Sequence, residues 1–247
     1  MGIKVIKKEN VGDAYQAETK YVRGELPHRG IDILKRPSHF KIYEHPVKTV
    51  DLPQPEKAGG EGIWGVLQAR RTRRTYKPEP LTLMQLSQLL WAGNGKTKEG
   101  RETFLRSAPS AGALYPIEIY VMVNNVEGLD KGIYHFDVEN ASLSFIIPGD
   151  FGEAAAHAAL DQPMLSKSGA VIFMTAVVER TRWKYDQRAY RYIYLDAGHI
   201  GQNLCLAAQG LGLGACEIGA FYDDELNGIL KVDGVEETVV YAITVGR

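Results

Sequence analysis

The sequence predicts an α+β protein: a mixed, largely antiparallel sheet flanked by helices, preceded by an extended N-terminal arm. Three observations carry this expectation. Ile117-Glu118-Ile119-Tyr120-Val121-Met122-Val123 is a β-favouring run that follows a proline-bounded loop of small residues. Gly132–Asp137 and Ala141–Ile147 read as a hairpin around Val138-Glu139-Asn140. From Gln187 to Gln209, Ala189, Ile193, Ala197, Ile200, Leu204 and Ala208 recur at helical spacing, which predicts the longest helix and a buried spine. Strands and helices alternate too irregularly for a doubly wound parallel sheet.

Taken in order, residues 1–60 are polar and punctuated by Pro53, Pro55, Gly59 and Gly60, which predicts an arm draped over the main domain of residues 61–247. Tyr21, Phe40 and Tyr43 are its candidate anchors. Ile63–Ala69 reads as a short helix leading into Arg70-Arg71-Thr72-Arg73-Arg74-Thr75-Tyr76. Thr82 and Gln85 form a capping box that opens a core helix ending at Gly93-Asn94-Gly95. Phe151 to Leu160 is an alanine-rich helix, and Ala170 to Val178 is an apolar run of strand length. Arg180 to Asp186 reads as the connection to the spine helix. After it, Gly210 or Gly212 should supply a left-handed cap, followed by a loop from Cys216 to Phe221, a helix from Asp223 to Leu230, and a strand from Thr238 to Val245.

Composition narrows the function classes. Of 247 residues, acidic and basic ones nearly cancel at a formal charge of −1, so the balance calls for neither nucleic acid nor an anionic membrane surface. The two cysteines, Cys205 and Cys216, lack the spacing of a zinc site or a disulfide framework, which predicts a reducing compartment. Met1–Lys8 has no leader-like apolar core, and no run approaches a membrane span, so a cytoplasmic protein is expected.

Three segments could carry chemistry. The arginine-rich turn can grip an anion through charge-assisted hydrogen bonds, with a solvated basic turn as the alternative. The loop Ser107 to Pro116 has few bulky side chains, so a flat ligand can lie against its backbone; a plain tight turn before a strand is the alternative. Lys184-Tyr185 can act as a proton-accepting pair, and a surface turn would contain the same residues. Gly210-Leu211-Gly212-Leu213-Gly214-Ala215 matches a dinucleotide fingerprint in letters, but a helix precedes it and no βαβ unit surrounds it. His199, on the spine helix, reads as a satisfied core histidine. No histidine pair has the helical spacing of a metal site.

Together, the arginine-rich turn, Ala108-Pro109-Ser110-Ala111-Gly112-Ala113-Leu114-Tyr115-Pro116 and Gly212-Leu213-Gly214-Ala215-Cys216-Glu217-Ile218-Gly219-Ala220-Phe221 resemble the nitroreductase family of flavin enzymes, over Ile63 to Arg247. Leu114-Tyr115-Pro116, Gly132-Ile133-Tyr134, Lys184-Tyr185, Asp196-Ala197-Gly198-His199 and Gln202-Asn203-Leu204 resemble its SagB-type branch, which includes azoline dehydrogenases. The resemblance implies an FMN-dependent oxidoreductase with the flavin at a homodimer interface and a small-molecule or peptide substrate. It implies Arg70, Arg71, Thr72 and Arg74 at the phosphate and ribityl end, with Arg247 in place of a basic residue the family usually supplies from beyond the last strand. Pro109, Ser110, Ala111, Gly112 and Leu114 would pack on the isoalloxazine from the second subunit, Gly219 and Ala220 would approach N5 and O4, and Gln162 would bond the ring. Lys184 and Tyr185 become the expected catalytic pair. Two alternatives carry over: a nitro or quinone reductase with NAD(P)H as electron donor, and a non-catalytic flavin-binding partner in a peptide-modifying complex.

Overall fold

The computed structural model describes residues 10–24, 32–99 and 104–247; Met1–Lys8, read above for a leader, lies outside them. In chain order the elements are α1 (Val11–Glu18), β1 (Lys48–Asp51), α2 (Ile63–Ala69), α3 (Leu83–Asn94), β2 (Lys96–Glu99), β3 (Phe104–Arg106), β4 (Ile117–Val123), β5 (Gly132–Asp137) and β6 (Ser142–Pro148). There follow α4 (Gly152–Ala158), α5 (Met164–Lys167), β7 (Ala170–Val177), α6 (Glu179–Tyr185), α7 (Ala189–Gly210), β8 (Gly214–Ile218), α8 (Asp223–Leu230) and β9 (Glu237–Gly246). Seven strands form one sheet in the order β1-β6-β5-β4-β7-β9-β8, with every neighbouring pair antiparallel. The expected class holds.

The central strands explain their own sequences. Every residue of β4 is buried, because side chains that alternate across the sheet meet helices on both faces. Ile117, Ile119, Val121 and Val123 face a cluster with Leu86, Leu89 and Leu90 of α3 and Ile193, Ile200 and Leu204 of α7. Tyr120 and Met122 face the opposite cluster, with Ala155 of α4, Leu165 of α5 and Leu226 of α8. Burying each large aliphatic side chain contributes about 1.5–3 kcal/mol, so the sheet is held from both sides.

Helix α3 starts where the capping box predicts. Gln85 N–H donates to Thr82 Oγ1 at 3.1 Å, and Thr82 N–H donates to Gln85 Oε1 at 3.0 Å. All six spacing residues of α7 are buried, and Gly212 takes the left-handed conformation just past its end, at φ +70°. The arm's anchors also engage: Phe40 packs on Phe104 with ring centres 5.2 Å apart, Arg188 lies 4.2 Å over Tyr21, and Tyr43 places its hydroxyl 3.0 Å from that of Tyr120. Its last stretch, β1, extends the sheet by pairing with β6.

Three local expectations need correction. Residues 179–185 form a helix rather than a turn. Glu179 in its first turn and Arg182 and Lys184 in its last complement the helix dipole, and Arg182 Nε donates to Glu179 Oε2 at 2.7 Å. The segment expected as a loop from Cys216 begins as edge strand β8, because Gly214–Ile218 pairs with β9 from Gly246 back to Ala242. His199 lies on the exposed face of α7, not in the core.

Candidate active site

The ledge before β4 is built by one carboxylate. Ser110 Oγ donates to Asp196 Oδ2 on α7 at 2.5 Å, Ala111 N–H donates to Asp196 Oδ1 at 3.3 Å, and Tyr115 N–H donates to Ser110 Oγ at 2.9 Å. Asp196 is buried, which pushes its carboxyl upward, against the lowering effect of the Ser110 bond. Between these ties Gly112, Ala113 and Tyr115 all have left-handed φ angles, +66°, +52° and +48°. Such backbone persists only where its surroundings dictate it. Leu114 is buried beneath the ledge, Pro109 and Gly112 are exposed, and Ser110 and Ala111 are half-buried.

The ledge meets the expected catalytic pair. A Cβ at Gly112 would stand 2.7 Å from Tyr185 Oη and 3.0 Å from Lys184 Nζ, so residues far apart in sequence converge where the backbone has no side chain. Lys184 Nζ lies 5.3 Å from the centre of the Tyr185 ring, which leans against Tyr192 with centres 4.7 Å apart.

Helix α6 is riveted to the ledge from below. Arg180 Nη1 donates to the Tyr115 carbonyl at 3.1 Å and to Glu118 Oε1 at 2.5 Å, while His135 Nε2 lies 2.7 Å from Glu118 Oε2. Burial alone would raise the Glu118 carboxyl. The Arg180 charge and the His135 hydrogen bond overcome that and hold it at about 2. Sequence reading passed over Glu118, Arg180 and Asp196 as participants. A glutamate inside an otherwise apolar buried strand, with an arginine just past its neighbouring strand, was the available signal.

A second group gathers at the far edge of the sheet, with β7 and β9 between it and β4. Thr72 bridges to Ala215, and Arg73 N–H donates to the Ala215 carbonyl at 2.9 Å, which lays the arginine-rich turn alongside β8. Arg70 lies near Cys205 and Arg74 near Cys216. Burial pushes both thiols up, Cys205 to about 12, and the arginine charges oppose that rise. Arg71 turns back on its own turn, with Nη1 donating to the Gln68 carbonyl at 2.9 Å and the Arg70 carbonyl at 2.7 Å. Thr72 and Arg74 are exposed.

At the end of this turn a cleft of about 480 Å³ is lined by Arg73, Lys77, Gln85, Gly212 and Arg247 among others. Arg247 Nη2 donates to Gln85 Oε1 at 3.3 Å, and Lys77 N–H donates to the Arg247 carbonyl at 2.5 Å. The structure therefore places Arg247 with Arg73 and Lys77, two cations the sequence reading left unassigned. Just past the other end of β8, Gly219 and Ala220 are exposed, and Gln162 Nε2 donates to the Ala220 carbonyl at 3.1 Å.

Among the described residues no helix is long and apolar enough to cross a membrane. Comparison with known proteins places this geometry in a family. A protein of Methanocaldococcus jannaschii, provisionally named nitroreductase MJ1384, is 41% identical over 198 residues, covering 80% of this chain and 96% of that protein. The trifolitoxin-processing protein TfxB of Rhizobium leguminosarum bv. trifolii is 32% identical over 151 residues, 59% of this chain; the match spans 40% of TfxB. A crystal structure from Anabaena variabilis, provisionally titled a nitroreductase, superposes with a TM-score of 0.78 at 28% identity, over 94% of this chain and 45% of that one. The model of the nitroreductase family matches residues 67–247, and the chain belongs to that family of oxidoreductases.

Proposed function

We propose that the chain is an FMN-dependent oxidoreductase of the SagB type, active as a homodimer, that oxidises azoline-like heterocycles in a small molecule or peptide. One observation carries the reading: Lys184 Nζ and Tyr185 Oη converge on the side-chain-free position of the ledge, Gly112. The likeness to a trifolitoxin-processing protein supports a processing role.

The donor set fits FMN. Exposed Arg74 and Thr72, half-buried Arg70, and the Arg73–Arg247 cleft offer cations and a hydroxyl suited to a phosphate and a ribityl chain. Gly112 presents bare backbone to a flat ring, and the exposed Gly219–Ala220 segment, steadied by Gln162, offers amide groups at the other end. In one chain the ledge lies before β4 and the cationic turn alongside β8, two strands beyond β4's neighbour, and two copies would supply a ledge and a cationic turn to one ring. Bound FMN would supply the hydride acceptor. Tyr185 Oη would take a proton from the substrate carbon, with the Lys184 ammonium beside it stabilising the oxygen when it carries charge. Asp196 and Arg180 hold the ledge and α6 in register, and the ledge would exclude water from one side of a bound ring.

Titrating the purified protein with FMN tests the reading: bound flavin absorbance, followed by bleaching with an azoline-containing peptide, is the expected result. A protein that stays colourless and takes up no added FMN overturns it. The nitroreductase name of the M. jannaschii relative favours a second reading, a nitro reductase, for which NAD(P)H is the proposed electron donor and quinones the proposed alternative acceptors. Rapid mixing with NADH and NADPH separates the two, because flavin that stays oxidised removes the second.

A further inference from the structure

The pair at Gly112 can work only if the ledge stands still, and besides Arg180 at the Tyr115 carbonyl one side chain outside that pair ties the ledge to α7. Asp196 is 5% exposed and sits in the middle of α7, the longest helix, where an aspartate costs helix stability and its burial costs solvation. Both oxygens are used, and both on the ledge: Oδ2 for Ser110 Oγ at 2.5 Å and Oδ1 for Ala111 N–H at 3.3 Å. Ser110 passes the restraint on, because its Oγ also accepts Tyr115 N–H at 2.9 Å. That relay closes a loop over Ala111–Ala113, which contains Gly112 at φ +66° and Ala113 at φ +52°. Left-handed backbone of this kind would relax without such ties.

We propose that Asp196 is a positioning residue for the active site: its carboxylate clamps Ser110 and Ala111 and so sets the distance between Gly112 and the Lys184–Tyr185 pair. The clamp itself is a property of the unliganded chain, whereas its consequence for turnover rests on the oxidoreductase reading. Each carboxylate oxygen accepts from a different donor, and Asp196→Ala removes both acceptors at once, whereas an asparagine would satisfy both neighbours by accepting Ala111 N–H and donating to the Ser110 hydroxyl. Ser110→Ala removes the hydroxyl relay and leaves α7 untouched.

Hydrogen exchange on the flavin-free protein reads the clamp directly. In Asp196→Ala, exchange at the Ala111 and Tyr115 amides should accelerate roughly ten- to hundredfold, the loss expected when a charge-assisted bond is removed, while the buried α7 amides around Ile193 and Leu204 keep their protection. Ser110→Ala should accelerate Tyr115 to a similar extent, and it serves as the test if Asp196→Ala does not fold. In the FMN-loaded variants, flavin reduction should slow roughly tenfold or more, because the pair is intact but displaced. Unchanged protection of Ala111 and Tyr115 overturns the proposal, as does loss of protection spread evenly along α7. If exchange responds as described but wild-type protein shows no turnover, the clamp stands and the oxidoreductase reading falls.

Discussion

Adding one methyl group at Gly112 separates the site's geometry from its stability. The alanine introduced by Gly112→Ala must keep φ near +66°, which costs an L-residue about 1–2 kcal/mol. For a chain of this size that lowers Tm by only about 2–8 °C. The new Cβ would stand 2.7 Å from Tyr185 Oη and 3.0 Å from Lys184 Nζ, where ordinary contact begins near 3.4 Å, so both side-chain ends must retreat by several tenths of an ångström. They are flexible tips and can do so, which means that the fold survives while the pair leaves its place. Displacements on the order of 1 Å at reacting groups cost up to about a hundredfold in rate, and a decrease of roughly ten- to hundredfold is expected. The assay is single-turnover bleaching of bound flavin by the best donor found for the wild type, with calorimetry on the same preparation. A variant that melts a few degrees lower yet reduces its flavin at the wild-type rate refutes the convergence of ledge and pair as a working site.

Other outcomes follow from the same geometry. Lys184→Ala and Tyr185→Phe should each retain flavin but slow its bleaching by substrate; equal rates would remove the pair from the chemistry. Arg74→Ala should weaken FMN binding by about 1.5–3 kcal/mol, roughly ten- to hundredfold in Kd by calorimetric titration. Arg71→Ala should change it little, because that guanidinium is bonded to the carbonyls of Gln68 and Arg70, and equal losses in the two variants would contradict this assignment. The buried Glu118 carboxyl falls from an ordinary 4.5 to about 2 on folding. A depressed acid adds stability above its unfolded value and loses it as pH falls toward the folded one. Denaturant melts should therefore lose about 3 kcal/mol between pH values of about 4.5 and 2, and Glu118→Gln should flatten that decline. An identical decline in the variant would exclude the Arg180–Glu118 pair as its source.

Legibility in the sequence followed the range of the interactions. Elements fixed by local chemistry could be read residue by residue, as at Thr82 and Gln85, whose reciprocal bonds span only four residues of sequence, and in α7, whose buried stripe repeats every turn. Strand β8 was misread because Gly214–Ile218 is short and glycine-led, and only pairing with distant β9 makes it a strand. Helix α6 was misread because its stability lies in charges at its ends and in Arg180 beneath it, neither of which leaves an apolar period. In the site, residues that touch one another through a motif were visible. The structural roles of Asp196, Glu118 and Arg180 were not, since a charge reads as surface until the fold supplies its buried partner.

Pairing two defective chains is the most direct test of a site shared between subunits. One chain carries Arg74→Ala, which cripples the cationic turn, and the other Lys184→Ala, which cripples the ledge side. If each flavin is held by the turn of one copy and the ledge of the other, random mixing should restore about a quarter of wild-type turnover, because half the dimers are mixed and each has one intact site. If the turn and ledge of a single chain serve the same flavin, the mixture stays as inactive as its parents.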